Sequence, residues 1–131
     1  VPPCCIFGIN MGKRELGQYG ENLAAQFLQQ RGFEIIEKNF HTRWGEIDVI
    51  ARRGRSLHFV EVKTRSSNAR GEPEEAINYF KQQRLLGAAK MYLQARQVDL
   101  PNYQIDSVAI IIGGENQEPI IRYCENIVLD S

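Results

Sequence analysis

A chain of 131 residues, 43% of them hydrophobic, fits one domain that can bury a core without disulfides or a structural metal. Sixteen Lys and Arg balance sixteen Asp and Glu, which excludes the overall positive field of a histone-like polyanion binder and leaves any nucleic acid to a local patch. The three cysteines, Cys4, Cys5 and Cys124, lack the C-x-x-C spacing of zinc sites and are expected to be reduced, packed thiols in a cytoplasmic protein.

Residues 1–10 do not begin with Met and lack the basic and apolar regions of a signal peptide. They are expected to be a disordered or added extension before a start at Met11, with one domain over 11–131. No stretch approaches the roughly 20 apolar residues of a membrane span, so no membrane partner is expected.

In residues 14–31, Leu16, Leu23, Phe27 and Leu28 recur at helical spacing. Gly17, Gly20, Ala24 and Ala25 between them suit a helix lying close on a sheet, and Gly32 supplies the stop. Residues 33–40 read as a strand and 39–43 as a polar connection; 46–51 and 56–64 are two further strands joined around Gly54-Arg55. Residues 65–72 are polar, contain Gly71 and precede Pro73, which predicts a loop of functional type. Residues 74–96 are helical, with a break near Asn78 as a possible N-cap. Residues 105–112 and 120–123 are the last strands, flanking a turn at 113–117. The order is αβββαββ.

Alternation along Phe59-Val60-Glu61-Val62-Lys63 puts Glu61 and Lys63 on one strand face, about 7 Å apart at Cα, with Val60 and Val62 on the other. If Gly54-Arg55 forms a type II′ hairpin, Arg53 pairs with Ser56, Asp48 lies opposite Glu61, and Glu46 faces Lys63. A one-residue slip would move Asp48 to the other face. Carboxylates gathered between apolar neighbours carry a desolvation cost of several kcal/mol, which a divalent cation offsets. Oxygen ligands suit Mg²⁺ or Mn²⁺. Lys63, beside carboxylates that raise rather than lower its pKa, fits orientation and charge stabilisation better than general-base work. A bare E-x-K is more often a solvated ion pair; the apolar strand and the partner Asp argue otherwise here.

With these motifs in view, the chain resembles the PD-(D/E)-x-K nuclease superfamily and, more closely, the bacterial YraN-type family of endonuclease-like proteins. The resemblance runs from about Gly12 to Tyr123. It rests on Gly17-Gln18-Tyr19-Gly20-Glu21-Asn22-Leu23-Ala24-Ala25, Gly45-Glu46-Ile47-Asp48-Val49-Ile50-Ala51, Phe59-Val60-Glu61-Val62-Lys63-Thr64-Arg65 and residues 81–93. Ile47 stands where the superfamily name has Pro, a position that varies widely. The resemblance implies an α/β, restriction-endonuclease-like three-layer core, with a mixed central sheet of about five strands flanked by helices. It implies Asp48, Glu61 and Glu21 as metal ligands, with the Val62 carbonyl, and Lys63 as the catalytic lysine. Archaeal Holliday-junction resolvases are similar in layout, which implies branched DNA as one substrate, and a homodimer would suit a junction; single-stranded DNA is an alternative expectation, and RNA a lesser one than DNA.

Arg43, Arg65, Arg70, Lys81, Arg84 and Lys90 are expected to meet phosphates. Trp44 and His41 are candidates for stacking on an unpaired base, with a core or interface anchor as the alternative for Trp44. Asp106, in the fourth strand, fits either a structural role or the edge of the site. A binding or assembly module without catalysis is the competing expectation.

Overall fold

The computed structural model describes residues 12–66, 79–98, 102–113 and 117–128. The first helix, α1 (Lys13–Gln30), buries Gly20, Ala24, Ala25 and Leu28 along one stripe, as the small residues require. It ends in a Schellman arrangement. Gly32 takes φ +89°, its N–H donates to the Gln29 carbonyl, and the Phe33 N–H donates to that of Leu28. Phe33 then turns into the core, where it is buried beside Leu28.

Five strands follow: β1 (Glu34–Thr42), β2 (Gly45–Arg53), β3 (Ser56–Ser66), β4 (Asn102–Ile112) and β5 (Ile120–Cys124). They form one sheet in that spatial order. The pairs β1/β2, β2/β3 and β4/β5 are antiparallel, whereas β3/β4 is parallel. A parallel pair needs a crossover, and the segment between β3 and β4 carries helix α2 (Tyr79–Ala95). The expected α/β order, αβββαββ around a mixed five-stranded sheet, is therefore present.

The two helices cover opposite faces. Ala24 and Leu28 of α1 pack with Val49, Ala51, Val60, Val108 and Ile110; Leu85, Ala88, Ala89 and Tyr92 of α2 pack with Ile47, Ile50, Phe59 and Ile105. Strands buried on both faces explain the near-continuous apolar runs of β2 to β4. Among the described residues, no helix is long and apolar enough to cross a membrane.

The β2/β3 hairpin has the expected register. Arg53 pairs with Ser56, and positive φ falls on Gly54, at +64°, and not on Arg55, as a type II′ turn demands. The expected connection over 39–43 is corrected. Strand β1 continues to Thr42, and only Arg43 and Trp44 turn the chain. Thr42 makes this possible: its Oγ1 accepts the Trp44 N–H and donates to the Gly45 carbonyl. The strand over 33–40 is present, and irregularity disguised where it ends. Its register shifts between Ile35 and Glu37, and Asn39 adopts φ +56° inside the strand, a conformation Asn tolerates better than most residues. Cys124 is exposed on β5 rather than packed. The extension at 1–10, Cys4, Cys5, Arg70, Pro73, the Asn78 break and most of the 65–72 loop lie outside the described residues.

Candidate active site

Asp48 stands where the alternation of β2 breaks. Val49 and Ala51 face α1 and Ile50 faces α2, so Ile47 should face α1, yet it packs with the α2-side core. The β2/β3 ladder runs from Arg53/Ser56 to Val49/Val60. One step further, where Asp48 would pair with Glu61, the Asp48 side chain takes over: its Oδ2 accepts the Val62 N–H at 2.8 Å. The carboxylate thus bridges the two strands in the plane of the sheet.

Helix α1 brings Glu21 to this point. Gly20 sits on Thr64 of β3 so closely that a Cβ there would collide with the Thr64 hydroxyl, and the next residue, Glu21, lines a groove with Val62, Thr64 and Arg65. Glu46, from the start of β2, completes a set. Carboxylate oxygens of Glu21, Glu46 and Asp48 all lie within 4.8 Å of one another. Asn39 holds two of them. With its amide nitrogen turned to the acceptors, it donates to Glu46 Oε1 at 2.7 Å and Glu21 Oε1 at 3.0 Å. His41 Nδ1 lies 3.3 Å from the other Glu46 oxygen.

Glu61 points to the α2 face, as alternation with Val60 and Val62 requires. Lys81 of α2 lies 3.3 Å from its Oε2, but that oxygen is buried without a hydrogen bond. Lys63, two residues on, is half-buried on the same strand. The expected Glu46–Lys63 pairing is corrected, because the β2/β3 ladder ends three residues short of it and Glu46 joins Glu21 and Asp48 instead.

Crowding marks the electrostatics. Burial, opposed by the Val62 hydrogen bond and reinforced by the charges of Glu61, Glu21 and Glu46, pushes the Asp48 carboxyl up to about 7. Burial and Glu46 raise Glu21 too, against the Asn39 hydrogen bond and Lys38. Like charges held this close favour a bound proton or a bound cation.

The expected phosphate contacts divide. Lys81 and Arg84 line a pocket with Trp44, Glu46 and Glu61, and Arg65 lines the groove beside Glu21. Arg43 is exposed in the β1/β2 turn, with its guanidinium 5.8 Å from the Trp44 ring centroid, and Lys90 is exposed on α2; neither lines the pocket or the groove. Sequence reasoning missed Glu46 and Asn39. The signal was an Asn inside a β-strand, where that residue type is depleted.

Asp106 belongs elsewhere. It is wholly buried and accepts from Tyr123 Oη, the Asn126 N–H and Gln104 Nε2, while His58 Nδ1 lies 2.6 Å from its Oδ2. Burial would raise its pKa, but these bonds together hold it below the ordinary carboxylate value. Both oxygens are filled, so although His58, Asp106 and Glu125 lie close together, the group is a structural lock between β3, β4, β5 and the tail.

These features define an α/β protein in which one helix and a broken strand gather carboxylates at metal-ligand spacing. The chain belongs to the Uncharacterised protein family UPF0102, of YraN type, whose profile matches residues 20–110. It is 46% identical over 99 residues to a UPF0102 protein of Syntrophomonas wolfei, covering 76% of this chain and 86% of that one. It is 41% identical over 113 residues to one of Alkaliphilus metalliredigens, covering 86% and 96%.

Proposed function

We propose that this protein is a Mg²⁺- or Mn²⁺-dependent endonuclease that hydrolyses DNA phosphodiester bonds, on the PD-(D/E)-x-K pattern its motifs resemble. The observation that carries the reading is the Glu21, Glu46 and Asp48 cluster, with Asp48 pushed up to about 7. A purely structural surface would disperse such charges.

The residues fit a hard cation. All donors are oxygens, the Glu61 Oε2 lacks a hydrogen bond, and the Val62 carbonyl leaves its strand on the same side as the N–H that Asp48 holds. Asp48, Glu21 and Glu46 would hold the ion, with Glu61 and the Val62 carbonyl on its β3 side. A cation held there would supply charge neutralisation at the phosphodiester and a more acidic attacking water. Asp48 gives up its proton as the charge around it is balanced. Lys63 orients the water and offsets negative charge on the phosphoryl oxygens; Asn39 keeps Glu21 and Glu46 in place.

Labelled duplex, fork, junction and single-stranded DNA incubated with Mg²⁺ or Mn²⁺ test the reading. Equal cleavage by wild type and Asp48→Ala would sink it. A second reading, a binding module of the same fold without catalysis, draws on the Lys81–Glu61 contact, in which a lysine neutralises one of the acids. DNA binding with neither metal uptake nor cleavage would favour it.

A further inference from the structure

Beside the acidic cluster the protein shows aromatic surface that its core does not use. Trp44, in the β1/β2 turn, is 43% exposed, and Phe80, at the start of α2, is 77% exposed. The indole lies against Gly87 of α2, where a Cβ would come within 2.8 Å of the ring, and the Arg43 guanidinium sits 5.8 Å from its centroid. Phe80, Arg84 and Gly87 follow at the i, i+4, i+7 spacing of one helical face. That face therefore carries an aromatic ring, a cation and a second ring in succession, over a rise of roughly 10 Å. Arg84 and Lys81 line the pocket that Trp44 shares with Glu46 and Glu61.

We infer that Trp44 and Phe80 form a stacking platform for the bases of an unpaired DNA strand, with Arg84 and Arg43 meeting its phosphates, and that the substrate of the neighbouring acidic site is single-stranded or carries a single-stranded arm. The inference rests on the nuclease reading for its substrate and on this surface for its shape. Charge decides the occupant. On a chain of zero formal net charge, cations interleave with exposed rings on this stripe, the arrangement that tracks a single strand. The bases of an intact duplex are stacked on one another and have no free faces to offer such rings. Gly87 seats the platform: lacking a side chain, it lets the indole lie against the helix.

Trp44 is the sole tryptophan of the chain, so its emission reports the platform directly. Titration with a short oligothymidylate in EDTA, where no cleavage occurs, is expected to quench that emission saturably, and a blunt duplex of equal length to bind at least about tenfold more weakly. Phe80→Ala, at an exposed position, is expected to weaken the single strand by about ten- to a hundredfold. Gly87→Ala should displace the indole and weaken it likewise. Absence of quenching, equal affinity for the duplex, or unchanged affinity in Phe80→Ala would overturn the platform. So would an emission change that tracks protein concentration alone, which would mark the face as a contact between copies. Cleavage without quenching defeats this inference and spares the nuclease; quenching by a protein that cleaves nothing does the reverse.

Discussion

Asp48 Oδ2 accepts the Val62 N–H at 2.8 Å, so a side chain performs the job of a backbone rung just where two strands part. The same carboxylate feels the charges of Glu61, Glu21 and Glu46, and oxygens of the last two lie within 4.8 Å of it. It is thus part of the sheet and of the candidate site together, and its protonation is linked to both.

Stability of the metal-free protein should fall as pH rises toward neutrality. Asp48 titrates near 7 when folded and near 3.9 when unfolded, so between these values the folded chain binds more protons. Its contribution is complete below about pH 4 and is lost as pH passes through about 7, at roughly 1.4 kcal/mol for each pH unit between the two values. Asp48→Asn should flatten that slope and be the more stable protein at pH 8. Urea denaturation of both proteins across pH measures this; parallel profiles would refute it.

Cation binding should release protons. Below about pH 7, Mn²⁺ must displace the proton from Asp48. Calorimetric titration in buffers of different ionisation enthalpy is expected to show proton release at pH 6 that shrinks at pH 8. Glu46→Gln should weaken Mn²⁺ by at least about tenfold, although Glu46 lay outside the expected ligand set.

Glu61→Gln is expected to cost little stability without metal, about 1 kcal/mol or less, because its Oε2 has an ion-pair contact with Lys81 but no hydrogen bond. Cleavage should nonetheless drop by about a hundredfold or more. A loss of stability that matches the loss of activity would make Glu61 structural.

The Asp106 lock should show the opposite pH behaviour. Its depressed pKa contributes stability that is present above the ordinary carboxylate value and disappears as pH falls through the depressed one. Asp106→Ala should cost about 3–5 kcal/mol, since it strands His58 and three other donors. Tyr123→Phe should cost about 1.5–3 kcal/mol. Neither should alter Mn²⁺ affinity in the folded fraction.

Local signals carried much of this structure. The type II′ turn at Gly54-Arg55 set the β2/β3 register as far as Val49 and Val60, one step short of the expected pairing of Asp48 with Glu61. Small residues on α1 foretold its close seat on β3. What periodicity could not carry is the break at Asp48, where Ile47 and Ile50 face the same core. Strict alternation therefore misplaced Glu46. The left-handed Asn39 and the four-donor shell of Asp106 are products of tertiary packing that no window of sequence contains.

Gly20 against Thr64 acts as a gauge block. At position 20 there is room beside Thr64 for a hydrogen atom and none for a Cβ, and the reach of Glu21 toward Asp48 is calibrated by that contact. The carboxylate cluster can consequently be detuned by one methyl group that touches no charge, and neutral drift at position 20 is closed to any larger residue unless Thr64 shrinks in step.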